Sequence, residues 1–127
     1  MKTFYHGSPT SGIKVLEPRF DSRLGIEGLF VADEPFGPMM FALLPIRAHA
    51  IVDYVTKDGK FIQGKVITPA INEEGWLYAI EAGNEIISER KPGRFHLTGP
   101  VKVMKAEKVL KESLLKLGWE IEIKETK

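Results

Sequence analysis

The chain has no cysteine. That removes disulfide cross-links, a thiolate nucleophile and every cysteine zinc site, and it fits a reducing compartment. Long apolar runs are lacking too: nowhere do about 18 apolar residues follow one another, and the N-terminus has no basic segment leading into an apolar one. Neither a membrane span nor a signal peptide is expected, and a cytoplasmic protein is the default. Charge of one sign is not in excess either. With 18 Lys and Arg against 17 Asp and Glu the net charge is +1, too weak a field to hold a polyanion, so nucleic acid is not indicated as a partner. Histidine is scarce: the three at positions 6, 49 and 96 are too far apart for a local metal-ligand spacing. Ser8, Ser11, Ser22, Ser88 and Ser113 lack the strand-turn-helix setting of a nucleophile elbow. No glycine-rich segment leads into Gly-Lys-Ser or Gly-Lys-Thr, which excludes a phosphate loop.

What is present reads as an ordinary globular chain. Its 127 residues are 43% hydrophobic and 28% charged, enough to bury about two-thirds of the unfolded surface in one core, so residues 1–127 are expected to form a single domain. "TFYHG" is a short strand stopped by Gly7 and Pro9, and "GIKVLEP", residues 12–18, is a second extended piece. "RFDSRLGIEG", residues 19–28, has no period and reads as a mobile loop. "GLFVAD", residues 28–33, is a buried-type strand, and Asp33-Glu34-Pro35 starts a helix through "EPFGPMMFALL". Residues 48–67 read as a strand pair around "KDGK"; residues 75–82 are a strand, and "NEIISER" continues as the next one. "AEKVLKESLLKLG", residues 106–118, is expected as a helix with Val109 or Leu110, Leu114 and Leu117 on one face, ending at Gly118. "WEIEIKE" then alternates as a half-exposed strand. The class is α+β with strands predominating; there is no repeat and no βαβ alternation.

The chemistry concentrates in two places. One is His6, delivered by a strand into a bend. The other is the pair Phe30 and Phe41, which a strand and the following helix can present as walls of a slot for a planar ring; core packing alone explains such a pair equally well. "FYHGS" followed by "GLFVADEPFGPMMFAL" resembles the ADP-ribosyltransferase superfamily, in the branch with the histidine, tyrosine and glutamate signature shared by diphtheria toxin and the poly(ADP-ribose) polymerases. The resemblance covers the first third of the chain and implies two packed, mainly antiparallel sheets forming a split β-core with a few helices.

It also implies NAD as substrate and a macromolecular acceptor of ADP-ribose. On the matching first strand, "FYHGS", Tyr5, His6, Gly7 and Ser8 would line the cofactor. His6 and Ser8 would bond a ribose hydroxyl, and the Gly7 backbone would pair with the nicotinamide carboxamide. Phe30 and Phe41 would sandwich the nicotinamide ring. The sequence departs from the family pattern in having phenylalanine where both tyrosines are expected, and "GRFHLTGPV" where the catalytic glutamate should stand, with Arg94 or His96 at the matching place. Glu89 is the nearby carboxylate that could serve, with a solvated turn residue as the plainer reading. Two functions stay open: a mono-ADP-ribosyltransferase, with His6 and Glu89 catalytic, and a non-catalytic module binding NAD, an ADP-ribose-like ligand or a protein. A small RNA-binding or toxin-like domain would rest only on "ERKPGRFH", residues 89–96, which reads better as a turn with surface charges.

Overall fold

The computed structural model describes residues 1–21, 26–45, 49–91 and 94–125. Its elements, in chain order, are β1 (Lys2–Ser8), β2 (Val15–Leu16), β3 (Arg19–Asp21), β4 (Ile26–Val31), α1 (Phe36–Phe41), β5 (Ile51–Lys57) and β6 (Lys60–Thr68). They continue with β7 (Glu74–Ala82), β8 (Ile87–Lys91), β9 (Arg94–Leu97), β10 (Val101–Lys102), β11 (Lys105–Leu110), α2 (Lys111–Leu117) and β12 (Trp119–Ile123). This is an α+β arrangement of mixed sheets with two short helices among the described residues. Instead of the two sheets expected, the strands among the described residues form four sheets, ordered β1-β7-β11, β10-β2, β12-β6-β5 and β3-β4-β9-β8. All pairs are antiparallel except β12 with β6. No helix among the described residues is long and apolar enough to cross a membrane.

The β1-β7-β11 sheet is the middle layer, because both of its faces are apolar. Alternation along the strands sends Phe4, Tyr78 and Ile80 to one face, where they pack with Leu16, Val31 and Leu97. Leu77 and Val109 point to the other face and pack with Met40, Leu43, Val66, Leu114 and Trp119. Helix α1 lies on that second face almost without intervening side chains. A β-carbon on Gly75 would stand 1.9 Å from the Ala42 carbonyl oxygen, and one on Gly7 would stand 1.8 Å from that of Pro38. The two glycines are the floor on which the helix rests. Pro38 sits in the first turn of α1, where no intrahelical N–H is needed.

Several sequence expectations change here. The helix drawn over 106–118 is only its second half: residues 105–110 are β11, paired with β7 from Lys105↔Ala79 to Leu110↔Glu74, and the helix occupies Lys111–Leu117. Leu114 is its buried residue, whereas Leu110 and Leu117 are exposed. The segment drawn as a mobile loop at 19–28 begins and ends in a hairpin, with Arg19 opposite Gly28, and residues 22–25 lie outside the described part. The helix start read at Asp33-Glu34-Pro35 is followed by α1 from Phe36. The N-cap is Pro35, and Glu34 before it accepts the Phe36 N–H through Oε2 at 2.7 Å while its other oxygen accepts the Tyr54 hydroxyl. The strand pair at 48–67 is present as β5 and β6, joined at Asp58 (φ 53°) and Gly59 (φ 75°), the left-handed pair of a tight hairpin turn.

If α1 rests on bare backbone, the two kinds of glycine must differ in cost. Gly75→Ala is expected to lose about 3 kcal/mol or more through the clash with Ala42. Gly12→Ala, at φ 76° with open space around it, is expected to lose only about 1 kcal/mol. Urea unfolding followed by tryptophan fluorescence measures both, and equal losses would mean the helix does not need that floor.

Candidate functional site

Tyr5 and Ala32 form one isolated antiparallel bridge between β1 and the end of β4. Tyr5 donates to the Ala32 carbonyl at 2.7 Å and accepts from the Ala32 N–H at 3.0 Å. Along an extended chain every second residue turns its N–H and C=O to the same edge. Phe30 and Gly28 therefore face the same edge of β4 as Ala32. Gly28 is taken by β3 and Ala32 by β1, which leaves a gap on this edge at Phe30, whose ladder partner His96 lies on the other edge. His6 fills it: its Nδ1 lies 2.9 Å from the Phe30 carbonyl oxygen. A carbonyl only accepts, so Nδ1 carries the proton. By the same alternation Gly7 turns its amide to the edge where the β1–β4 ladder has already ended.

The aromatic pair gathers at the same gap. Phe30 and Phe41 are 6.1 Å apart between ring centroids and inclined at 62°, and Phe41 is 40% exposed. They meet edge to face rather than as parallel walls; a ring stacked between them needs one of the two to turn. A third ring joins this cluster, that of His96, which the sequence named only as a residue at the place of the expected glutamate. It is buried, stands directly opposite Phe30 in the β4–β9 ladder, and its ring lies 5.9 Å from Phe30 at 82°. His96 is one of the two residues matched to the place where the resemblance expects a carboxylate. Arg94, the other residue named for that place, has its side chain outside the described part.

The remaining site residues have other surroundings or other duties. Ser8 accepts the Thr10 N–H at 3.1 Å and so shapes the bend after the strand. Tyr5 is the immediate neighbour of His6, so its side chain leaves the opposite face of β1, and it lines a cavity beside Met39. Gly7 is glycine because α1 leaves no room for a β-carbon, a reason that involves no ligand. Glu89 pairs with Phe95, and Phe95 with Val31, whereas Ser88 pairs with His96 and His96 with Phe30. Glu89 therefore stands on the face of this sheet opposite to the Phe30 ring, and it lines a hollow with Lys2 and Phe4. Lys2 is four residues from His6 along β1, about 13 Å. The structure brings His6, Gly7, Phe30 and Phe41 together and keeps Glu89 away from them.

The segment that leaves the site is anchored from below. Tyr78, fully buried and directly across the ladder from His6, donates its hydroxyl hydrogen to the Thr10 carbonyl and accepts the Ile13 N–H at 3.4 Å. No cluster of three or more His, Asp or Glu among the described residues could hold a metal ion. The chain matches no protein-family model, and no curated protein or solved structure was found to match it.

His6 has a structural duty that can be separated from any binding role. His6→Ala strands the Phe30 carbonyl and is expected to cost about 1–3 kcal/mol. His6→Asn retains a donor at the position of Nδ1 and is expected to recover at least half of that loss. Denaturation of the two variants side by side checks it; equal losses would show that the bond to Phe30 contributes nothing.

Proposed function

We propose that the chain is an ADP-ribosyltransferase-like domain that binds NAD, or a ligand carrying its ADP-ribose part, at the β1–β4 gap without cleaving it. The observation that supports this reading is the isolated Tyr5–Ala32 bridge, after which the Gly7 amide faces an edge with no ladder partner among the described residues and the His6 ring reaches across to Phe30. The parts fit the ligand's chemistry. The resemblance sets a ribose hydroxyl beside His6, and the primary carboxamide of nicotinamide offers both a donor and an acceptor to the Gly7 backbone. Its cationic ring is suited to the faces of Phe30 and Phe41 once one of them turns.

Cleavage asks for more. As the bond between nicotinamide and ribose breaks, positive charge grows on the sugar, and a preorganised carboxylate is the group that stabilises it. Glu89 lies on the wrong face of its sheet for this, and the row formed by Ser88, His96 and Phe30 offers an imidazole instead. Binding is accordingly the reading put forward, and transfer of ADP-ribose to a macromolecular acceptor is the competing outcome.

One titration separates them. NAD at a hundred times its Kd is expected to raise the melting temperature of the wild type by on the order of 10 °C. The same addition should leave His6→Asn and Phe41→Ala unmoved, and no nicotinamide should be released. An undiminished shift in folded His6→Asn removes this site. Release of nicotinamide that disappears in Glu89→Gln restores that glutamate, and with it the transferase reading.

A further inference from the structure

A second hollow lies across α1 from the Phe30–Phe41 pair. Met39 and Phe41 are two residues apart on the helix, about 200° around it, so the cavity beside Met39 and the gap beside Phe41 flank the same helix without sharing a wall. The cavity has a volume of about 610 Å³, within the range of about 300–1,000 Å³ typical of small-molecule sites. Its origin is visible in the register of the middle sheet. Tyr5, Ala79 and Lys105 form one cross-strand row, and the next row carries Leu77 and Glu107. The small side chain of Ala79 between two long ones leaves the depression. Pro35 and Met39 wall it on the helix side, and Met104 stands at its mouth.

The lining is mostly apolar, with Thr3 as an uncharged polar member and its only charged residues, Lys105 and Glu107, at one rim. There Lys105 Nζ and Glu107 Oε1 are 2.6 Å apart, and the hydrogen bond to Glu107 raises the Lys105 pKa above its ordinary value, so the ammonium stays charged at neutral pH. Met104 is 62% exposed although its N–H is tied to the Ala79 carbonyl at 2.9 Å. The backbone of Met104 is thereby fixed beside the cavity that it lines together with Met39, and flexible thioethers adapt to flat or branched apolar groups. The rim selects the head group. A ligand bearing only a carboxylate meets Glu107 as soon as it meets Lys105, and one bearing only an ammonium meets Lys105 with Glu107. A head group carrying both charges a few ångströms apart satisfies the two together.

We propose that this cavity binds a free α-amino acid with a large apolar or aromatic side chain, the side chain bedded on Tyr5, Leu77 and Ala79 between Met39 and Met104 and the zwitterionic head at Lys105 and Glu107. The proposal is independent of what occupies the β1–β4 gap.

The four methionines make the test specific, since Met40 is fully buried and Met1 lines the hollow beside Glu89. The full chain labelled at its methionine methyl groups is titrated with L-phenylalanine, and separately with phenylacetate and phenethylamine, and followed by NMR. The Met39 and Met104 signals should move and those of Met1 and Met40 stay. L-phenylalanine should bind with a Kd at or below about 1 mM, at least about tenfold more tightly than either singly charged analogue. Ala79→Leu, which fills the depression, should abolish the shifts while the Met40 signal keeps its native position. Should that variant not fold, Glu107→Gln is expected to erase the preference for the zwitterion. Unmoved Met39 and Met104 signals at about 10 mM L-phenylalanine, equal affinity for the three probes, or wild-type binding by either folded variant would overturn the proposal.

Discussion

The seat of α1 on Gly7 and Gly75 is the contact on which the arrangement depends. Two residues without side chains, one on β1 and one on β7, let a helix of six residues approach the sheet at backbone distance. A helix that short has almost no stability of its own, so its position comes from this floor and from Glu34, which ties its first turn to Tyr54. Met40 and Leu43 are then driven into the core, while Met39 and Phe41 project to either side. One packing decision thereby builds a wall for each of two separate hollows.

The second constraint is an accounting one. β4 must pair along its edge with β3 at one end and β1 at the other, and the two partners do not meet. The carbonyl left between them at Phe30 needs a donor, because an unsatisfied polar group in a partly buried place costs about as much as a lost hydrogen bond. An imidazole is suited to that task because one nitrogen can serve the backbone while the other keeps a separate chemistry. The structural duty of His6 and its proposed role in binding are two ends of one ring, which explains why a histidine at a strand end can be read equally well either way from sequence.

Much of the fold was legible where local signals and tertiary packing agree. The β5–β6 hairpin is written in Lys-Asp-Gly-Lys, and β7 and β12 in their alternation. It was illegible where partners override local preference. Residues 106–110 have a helical composition, but the unpaired edge of β7 recruits them as β11, and no period inside the segment reports an edge elsewhere in the chain. The hairpin of β3 and β4 was hidden for the same reason. At the site, the meeting of His6 with Phe30 and Phe41 was suggested by motif order. Its true geometry, a histidine bridging a gap with two rings edge to face, depends on where β3 stops and β1 begins. Neither boundary is marked by a residue type.

The role considered for Glu89 shows most plainly why proximity in sequence is a poor guide to a site. Ser88, Glu89, Phe95 and His96 lie within nine positions, yet the ladder sorts them into two rows on opposite faces, Glu89 with Phe95 and Ser88 with His96. A shift of one residue in the pairing of β8 would exchange the rows and carry the carboxylate to the Phe30 side. What holds the present register is burial: Leu97 is fully enclosed, and Phe95 meets Phe4 edge to face at 5.3 Å. Both lie on the core face of β9, so sliding either strand would bring apolar side chains into water. The chemistry available beside Phe30 is therefore decided by the packing of a different face of the same sheet.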